Sequence, residues 1–415
     1  GYTTNQLPQF LADATNAVNA LLSHHPCQDY RSYFNAFAIK VASNESGSDH
    51  LNGPTYRDTY FNSSYDPFSD LLITIPPNDE DTNYNHGQGK IDALLQTFMT
   101  NCHLPILLVN DTVYGGSDGF DKTAITALGN SSFEILTHET GHVLANLGDE
   151  YTYAYPGFPE TEEPNTTTNT NPNSIKWKSW ISTTNIPTPP TAEFSTVVGL
   201  FEGAHYHSNG WYRPKLNCAM GNFSSPFCDV CSEALVLSFY QRLRPVDGFV
   251  PASTNLSMTN TQALNFSLTL LQPPSNHLSV QWLTNGISVP GATNAAFALL
   301  PQSLPNGTNH VSVVVHDNTP LVRNDPTNLL TQTLTWTVNV SLPQLRLDSP
   351  LWLTGGKFVF RVTGTAPQGL AILSSTNFST WTSLATTSLV SGQCWFTNTA
   401  AAGSPKKFFR AQTPP

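Results

Sequence analysis

The chain has 415 residues, more than one compact core accommodates, so two or three domains are expected. Only 11% of residues are charged and the formal net charge is -11; with no basic stripe, this balance excludes a phosphate-reading nucleic-acid binder and disfavours an anionic membrane surface. Hydrophobic residues at 39%, with 11% aromatic, suffice for real cores, and no run approaches the roughly 18 apolar residues that span a bilayer.

Residues 5 to 24 read as a helix, with Leu11, Ala14, Val18, Leu21 and Leu22 at helical spacing. Phe34 to Val41 alternates and predicts a strand, and Leu71 to Ile75 predicts a second. Residues 88 to 101 carry Ile91, Leu94, Leu95 and Phe98 on one helical face, and Pro105 to Val109 predicts a third strand. Strands alternating with helices argue a layered α/β half-domain.

The next helix carries the chemistry. Ser131 and Glu134 are spaced as a capping box, followed by Thr137-His138-Glu139-Thr140-Gly141-His142. Four-residue spacing puts His138 and His142 on one face, one turn apart, where both imidazoles reach one metal ion. Glu139 projects toward the open side, placed to take a proton from a metal-bound water. A catalytic zinc takes three protein ligands and keeps one position open. In the extended metzincin pattern a glycine breaks the helix and the third ligand follows three residues later. Here Asn146 stands one residue past the usual glycine position, and Asn tolerates a left-handed backbone. Counting three residues on gives Asp149 as the expected third ligand, with Glu150 as runner-up.

The segment His138 to Tyr151, HETGHVLANLGDEY, resembles the active-site segment of the IgA-peptidase-type zinc metallopeptidases, the igalysins, a metzincin group. Similar too are Ser43 to Gly47, Asn110 to Gly116, Glu163-Pro164-Asn165, Gly199 to Gly203, Tyr212-Arg213-Pro214, Cys218-Ala219-Met220 and Pro226 to Cys231, in order, across about residues 28 to 245. The resemblance implies an edge strand above a cleft on which a peptide docks as an added strand. It also implies that Met220 belongs to the methionine turn beneath the zinc ligands. Tyr206 and Tyr212 are the candidates for a neutral donor to the oxyanion of a tetrahedral intermediate. His205 and His207 lack the spacing to complete the metal site and read as surface or supporting groups.

Residues 152 to 198 are rich in Pro, Thr and Asn, too long for a plain connector, and are expected to shape one wall of the cleft with Trp177 and Trp180 as anchors. Residues 229 to 243 predict a closing helix. Six cysteines permit disulfides; Cys27 with Cys102, and Cys218 with Cys228 or Cys231, are the local pairings. Cys228-x-x-Cys231 also has the spacing of half a zinc site or of a redox motif.

After Pro245 the character changes. Leu278 to Leu283, His310 to His316 and Leu334 to Val340 alternate between turn residues, as in an Ig-like β-sandwich. A further set, from Leu351 to Leu353 through Phe408 to Ala411, predicts a small β module. The expected fold class is multidomain: an α/β (α+β) metzincin-like metallopeptidase domain at 1–247, then two all-β sandwich-type modules at 248–342 and 343–415. The expected function is that of a secreted or cell-surface zinc endopeptidase using one catalytic zinc, held by His138, His142 and Asp149, with Glu139 as general base and then acid. Its expected partners are protein or glycoprotein substrates, immunoglobulin- or mucin-like, with no nucleic acid and no membrane insertion; the β modules are candidates for surface or glycan contact. The alternative is a cell-surface binding protein whose metal site is structural or latent. A calcium site is a further expectation for the polar loop Asn44 to His50.

Overall fold

The computed structural model describes residues 1–53, 55–67, 71–76, 87–118, 122–129, 131–260, 262–275, 278–341, 344–364, 368–399 and 406–413. It has mixed α and β content, with sheet predominating, and divides into two compact units. The first holds Gly1–Pro245 together with Leu271–Leu278 and His316–Thr331; the second holds Val246–Leu270, Ser279–Val315 and Gln332–Pro415.

The first unit opens with α1 (Leu7–Leu21), which carries a proline in its first turn, where the missing N–H costs nothing, and buries Ala17 and Leu21. Short strands β1 (Asp49–His50), β2 (Ser64–Tyr65) and β3 (Ile73–Thr74) form one sheet. Helix α2 (Gly87–Phe98) leads to β4 (Ile106–Leu108), β5 (Gly116–Ser117) and β6 (Ala124–Thr126), in the order β4-β6-β5. β4 runs parallel to β6, and β5 runs antiparallel to it at the edge. Helix α3 (Ser132–Ala145) packs on β5 and β6 and against α1. The hairpin of β7 (Phe201–Ala204) and β8 (His207–Arg213) follows, then α4 (Asp229–Arg242), which packs on α3. The core joins Leu136, Val143 and Leu144 of α3 to Leu235, Val236 and Phe239 of α4, with Trp177 and Trp180 beside them.

Three local expectations fail. Phe34 to Val41 forms no strand: among the described residues no strand pairs with it, and Phe37 stands 71% exposed. Alternation creates a strand only where a neighbour supplies the ladder. The capping box at Ser131 is not made; Ser131 makes no side-chain cap bond, and Glu134 instead accepts from the Ser224 hydroxyl at 3.0 Å. All six cysteines are free, so the pairing of Cys27 with Cys102 is not formed.

Segment 316–331 is sewn into the first unit by a buried carboxylate. Asp317, 1% exposed, accepts from Tyr30 Oη at 2.7 Å, Tyr240 Oη at 2.6 Å and the Thr319 N–H at 2.9 Å. Asp317→Ala strands two buried phenol donors, each costing about 1–3 kcal/mol. Denaturant unfolding of the full chain is expected to show the loss of about 2–6 kcal/mol; a change within about 0.5 kcal/mol would show that these bonds contribute nothing.

In the second unit, β9 (Val246–Val250), β11 (Leu264–Leu270) and β14 (Ala296–Leu299) form one sheet in the order β14-β11-β9. β10 (Asn255–Thr259), β12 (Leu278–Thr284), β13 (Ile287–Ser288), β15 (Gly307–Asp317) and β16 (Thr331–Ser341) form another, in the order β10-β16-β15-β12-β13. Phe266 of the first sheet meets Trp336 of the second edge-on at 5.0 Å and Trp282 at 5.6 Å, and both tryptophans are fully buried. Two further three-stranded sheets follow. One joins β17 (Arg346–Leu353), β18 (Lys357–Thr363) and β21 (Gln393–Asn398); the other joins β19 (Gln368–Ser375), β20 (Thr382–Leu389) and β22 (Phe408–Gln412). Phe360, Val362, Leu370, Ile372 and Leu389 form a core of their own. No described helix is long and apolar enough to cross a membrane.

Candidate active site

Helix α3 ends where the residue pattern requires. Asn146 takes the left-handed conformation (φ 52°, ψ 42°), and its N–H and that of Leu147 close back on the last turn. Asn bears this φ better than other non-glycine residues because its short amide bonds locally. The reversal swings Asp149 back beneath α3.

Three donor atoms meet there. His138 Nε2 and His142 Nε2 lie 3.0 Å apart, and Asp149 Oδ1 lies 3.1 Å from the first and 3.5 Å from the second. Both imidazoles are oriented from behind: His138 Nδ1 bonds the Ala219 carbonyl at 2.9 Å, and His142 Nδ1 bonds the Leu147 carbonyl at 2.6 Å. A carbonyl only accepts, so each Nδ1 carries the proton and each Nε2 turns a lone pair inward. Asp149 Oδ1 is buried and, despite its closeness to both rings, makes no hydrogen bond among the described residues. A buried oxygen facing two imidazole lone pairs is a donor set that fits a cation. The electrostatics agree. Burial disfavours charge on the rings, but Asp149 outweighs it, raising His138 and pushing His142 up to about 10. Against its own burial Asp149 is held far below the usual carboxylate range by the same two rings. The cluster draws positive charge, which a metal supplies in place of protons.

Glu139 is buried beside both histidines, with 6% exposure. Burial pushes its carboxyl up to about 7; the histidines oppose the rise, while the charges of Asp118 and Asp149 add to it. A carboxylate near neutrality is suited to taking and returning a proton.

The residue beneath the site is Met220, fully buried. A Cβ on Gly141 would lie 2.8 Å from Met220 Sδ and 3.1 Å from both Leu147 Cδ1 and Phe227 Cε1. Glycine at this helical position therefore lets the Cys218–Met220 turn press against α3, and the same turn supplies the carbonyl that holds His138.

Tyr206 departs from its expected role. His205 and Tyr206 both have positive φ, 53° and 57°, and form the two-residue turn between β7 and β8. Their N–H groups bond the carbonyls of Asp149 and Tyr151 at 2.9 and 3.0 Å. This turn, strained for non-glycine residues, brings Tyr206 Oη to Asp149 Oδ2 at 2.7 Å. With its proton given to Asp149, Tyr206 orients that carboxylate and leaves Oδ1 facing the histidines. Tyr206→Phe is expected to weaken metal retention and cleavage by about 10- to 100-fold. Titration with a metal buffer measures this, and unchanged affinity would remove Tyr206 from the site. Tyr212, on β8, pairs with Thr167 through its backbone and lies in the field of Glu202, so neither contact reaches the histidines.

Other side chains land where sequence spacing does not indicate. Phe223 meets His138 edge-on at 4.7 Å, and Tyr151 stacks over it at 6.1 Å. Tyr151 is visible in the motif beside Glu150, whereas Phe223 and Asp118 carry no local signal. His205 is not a surface group: it is fully buried, stacked on Trp211 at 3.9 Å and bonded to the Pro159 carbonyl at 2.7 Å. His207 pairs with Glu160 at 3.1 Å. Glu150 turns away from the histidines: its Oε1 accepts from Asn165 Nδ2 at 2.9 Å, and Cys231 Sγ lies 3.7 Å away. The loop from Asn44 to His50 commits its polar groups elsewhere, Asn44 to Asp58 at 2.7 Å, Asp49 to the Arg57 N–H at 2.6 Å and His50 to Asp111 at 2.8 Å. Among the described residues it forms no cluster of three or more His, Cys, Asp or Glu ligand groups.

The IgA Peptidase M64 profile matches residues 1–194 and 190–239. The chain belongs to the IgA peptidase M64 family. The match supports a peptidase, and every residue of the site described above lies within the matched segments. No curated protein sequence matches the chain. Similar solved structures include a Bacteroides uniformis β-glucuronidase 3 (10% identity, TM-score 0.16, 50% of this chain and 27% of that one). Fibronectin(III)-like modules of Clostridium thermocellum CbhA are also similar (9% identity, TM-score 0.17, 37% of this chain and 78% of that one). The M64 chain thus spans about a quarter of the β-glucuronidase's length. Likenesses this slight carry no argument, and the family assignment stands on the sequence profile alone.

Proposed function

We propose that this M64 peptidase is a secreted or cell-surface zinc endopeptidase with a metzincin-like catalytic domain at 1–247 and two β-sandwich-type modules at 248–342 and 343–415. The observation that carries the reading is the convergence of His138 Nε2, His142 Nε2 and the hydrogen-bond-free Asp149 Oδ1 beside a buried Glu139. These three residues would hold zinc, which when bound supplies Lewis acidity toward a carbonyl oxygen and toward water. Glu139 takes the proton of the attacking water and returns it to the departing amine. Its position in the rise toward neutral pH lets one group serve both steps.

A closed structural site would need a fourth protein ligand. Glu150, next to Asp149 in sequence, is instead committed to Asn165, which favours the enzyme over the binding-protein alternative. Sparse charge over the whole chain suits an exported protein. Tyr153 and Tyr155, about 60% exposed, both pack on Tyr206 and extend an aromatic surface outward from Asp149, suited to contact a protein or glycoprotein substrate.

The test is chelation. Incubation with a zinc chelator is expected to abolish cleavage of a broad peptide library, and returned zinc to restore it. Cleavage that survives complete removal of the metal would overturn the proposal.

A further inference from the structure

A second cluster of metal-ligating groups lies on the far side of the Asp149–Glu150 peptide from the histidines. Glu150, Cys218, Cys228 and Cys231 are all buried, and one ligand atom from each lies within 4.8 Å of every other. Cys218 Sγ and Cys231 Sγ are 3.5 Å apart, and Cys231 Sγ is 3.7 Å from Glu150 Oε1. In a tetrahedral zinc site with bonds of about 2.3 Å to sulfur and 2.0 Å to oxygen, neighbouring ligand atoms stand about 3.5–3.8 Å apart. Both printed separations match this spacing, and the remaining pairs lie within 4.8 Å.

We propose that Cys218, Cys228, Cys231 and Glu150 bind a second, structural zinc ion. Zinc takes the three cysteines as thiolates and Glu150 as a carboxylate, releasing the protons these four groups hold, so the coordination sphere is closed to water. Three features of the surroundings suit thiolates. Cys228 caps the N-terminus of α4 and Cys231 sits in its first turn, where the helix dipole favours negative charge. The Cys228 N–H donates to Cys218 Sγ at 3.3 Å. The half-buried Arg213 lies in the field of Glu150 and Cys218, and its buried Nη1 makes no hydrogen bond among the described residues. A disulfide is the competing fate, but three thiols cannot be exhausted by one bond, and the odd one would remain buried beside Glu150.

The site has a definite position in the architecture. Cys218 is followed by Ala219, whose carbonyl holds His138, and by Met220; Glu150 follows Asp149. One ion would tie the methionine turn, the third-ligand segment and α4 to one point.

Zinc analysis of the full-length His138→Ala/His142→Ala variant tests this apart from the catalytic reading. About one zinc per chain should remain, and its X-ray absorption should show sulfur neighbours at about 2.3 Å. Adding Cys228→Ser and Cys231→Ser should remove that zinc. The unmodified chain, which tests the site without any substitution, should hold about two zinc ions per chain, one of them sulfur-bound. No sulfur in the zinc shell of the unmodified chain, or an intact mass lighter by two hydrogens with Cys218 linked to Cys228 or Cys231, would overturn the second site and leave the His138 site standing. Loss of metal from the histidines with sulfur-bound zinc retained would do the reverse.

Discussion

Glu139→Gln is expected to keep the metal content of the unmodified chain and to cleave peptides about 10²- to 10⁴-fold more slowly. The substitution conserves volume and hydrogen-bonding reach, so the buried position beside His138 and His142 stays filled. What it removes is the capacity to hold a proton. The loss amounts to about 2.7–5.5 kcal/mol of transition-state stabilisation. Since no substrate contact is deleted, kcat and kcat/KM should fall together with KM little changed. Steady-state kinetics on a cleaved library peptide, with zinc analysis of the same samples, give both readouts. A variant cleaving within tenfold of the unmodified chain would mean that another group activates the water.

Asp149→Ala should have a larger effect than a change at Tyr206, because it removes one of the three converging donors themselves. The chain should lose one zinc, and cleavage should fall by more than the roughly 10- to 100-fold expected when a supporting partner such as Tyr206 is altered. The ranking follows from the geometry: Oδ1 faces the two imidazoles, while Oδ2 is engaged by Tyr206. Removing the carboxylate also frees the Tyr206 hydroxyl, so the double variant Asp149→Ala/Tyr206→Phe should be no worse than the single one. Wild-type zinc retention in Asp149→Ala would move the third ligand elsewhere and undo the reading of this turn.

The sequence displayed the parts of this site that depend on local spacing. A spacing of four from His138 to His142 and of three from Asn146 to Asp149 are helix and turn geometry, and both are realised in the positions of the side chains. What depends on distant partners was hidden. Tyr206 reads as an oxyanion donor until the two-residue turn at His205-Tyr206 is seen to carry its hydroxyl onto Asp149. His205 beside His207 has the look of a polar surface, yet Trp211 and Pro159 bury it. Phe34 to Val41 alternates as a strand should, and only the absence of a pairing neighbour among the described residues denies it one. The β segments after Pro245 were legible as strands from alternation and turns, whereas their order within sheets, set by pairings as remote as β10 with β16, was not.

Asp149 and Glu150 are adjacent, yet one carboxylate joins the histidines and the other joins the thiols. Successive side chains on an extended backbone point to opposite sides. Asp149 and Glu150 likewise face opposite sides of the segment between Leu147 and Tyr151. Substitutions there change one side at a time, but inserting or deleting a single residue exchanges the two acids and spoils both clusters at once. Libraries and natural variants of this loop should accordingly tolerate changes of residue far better than changes of length.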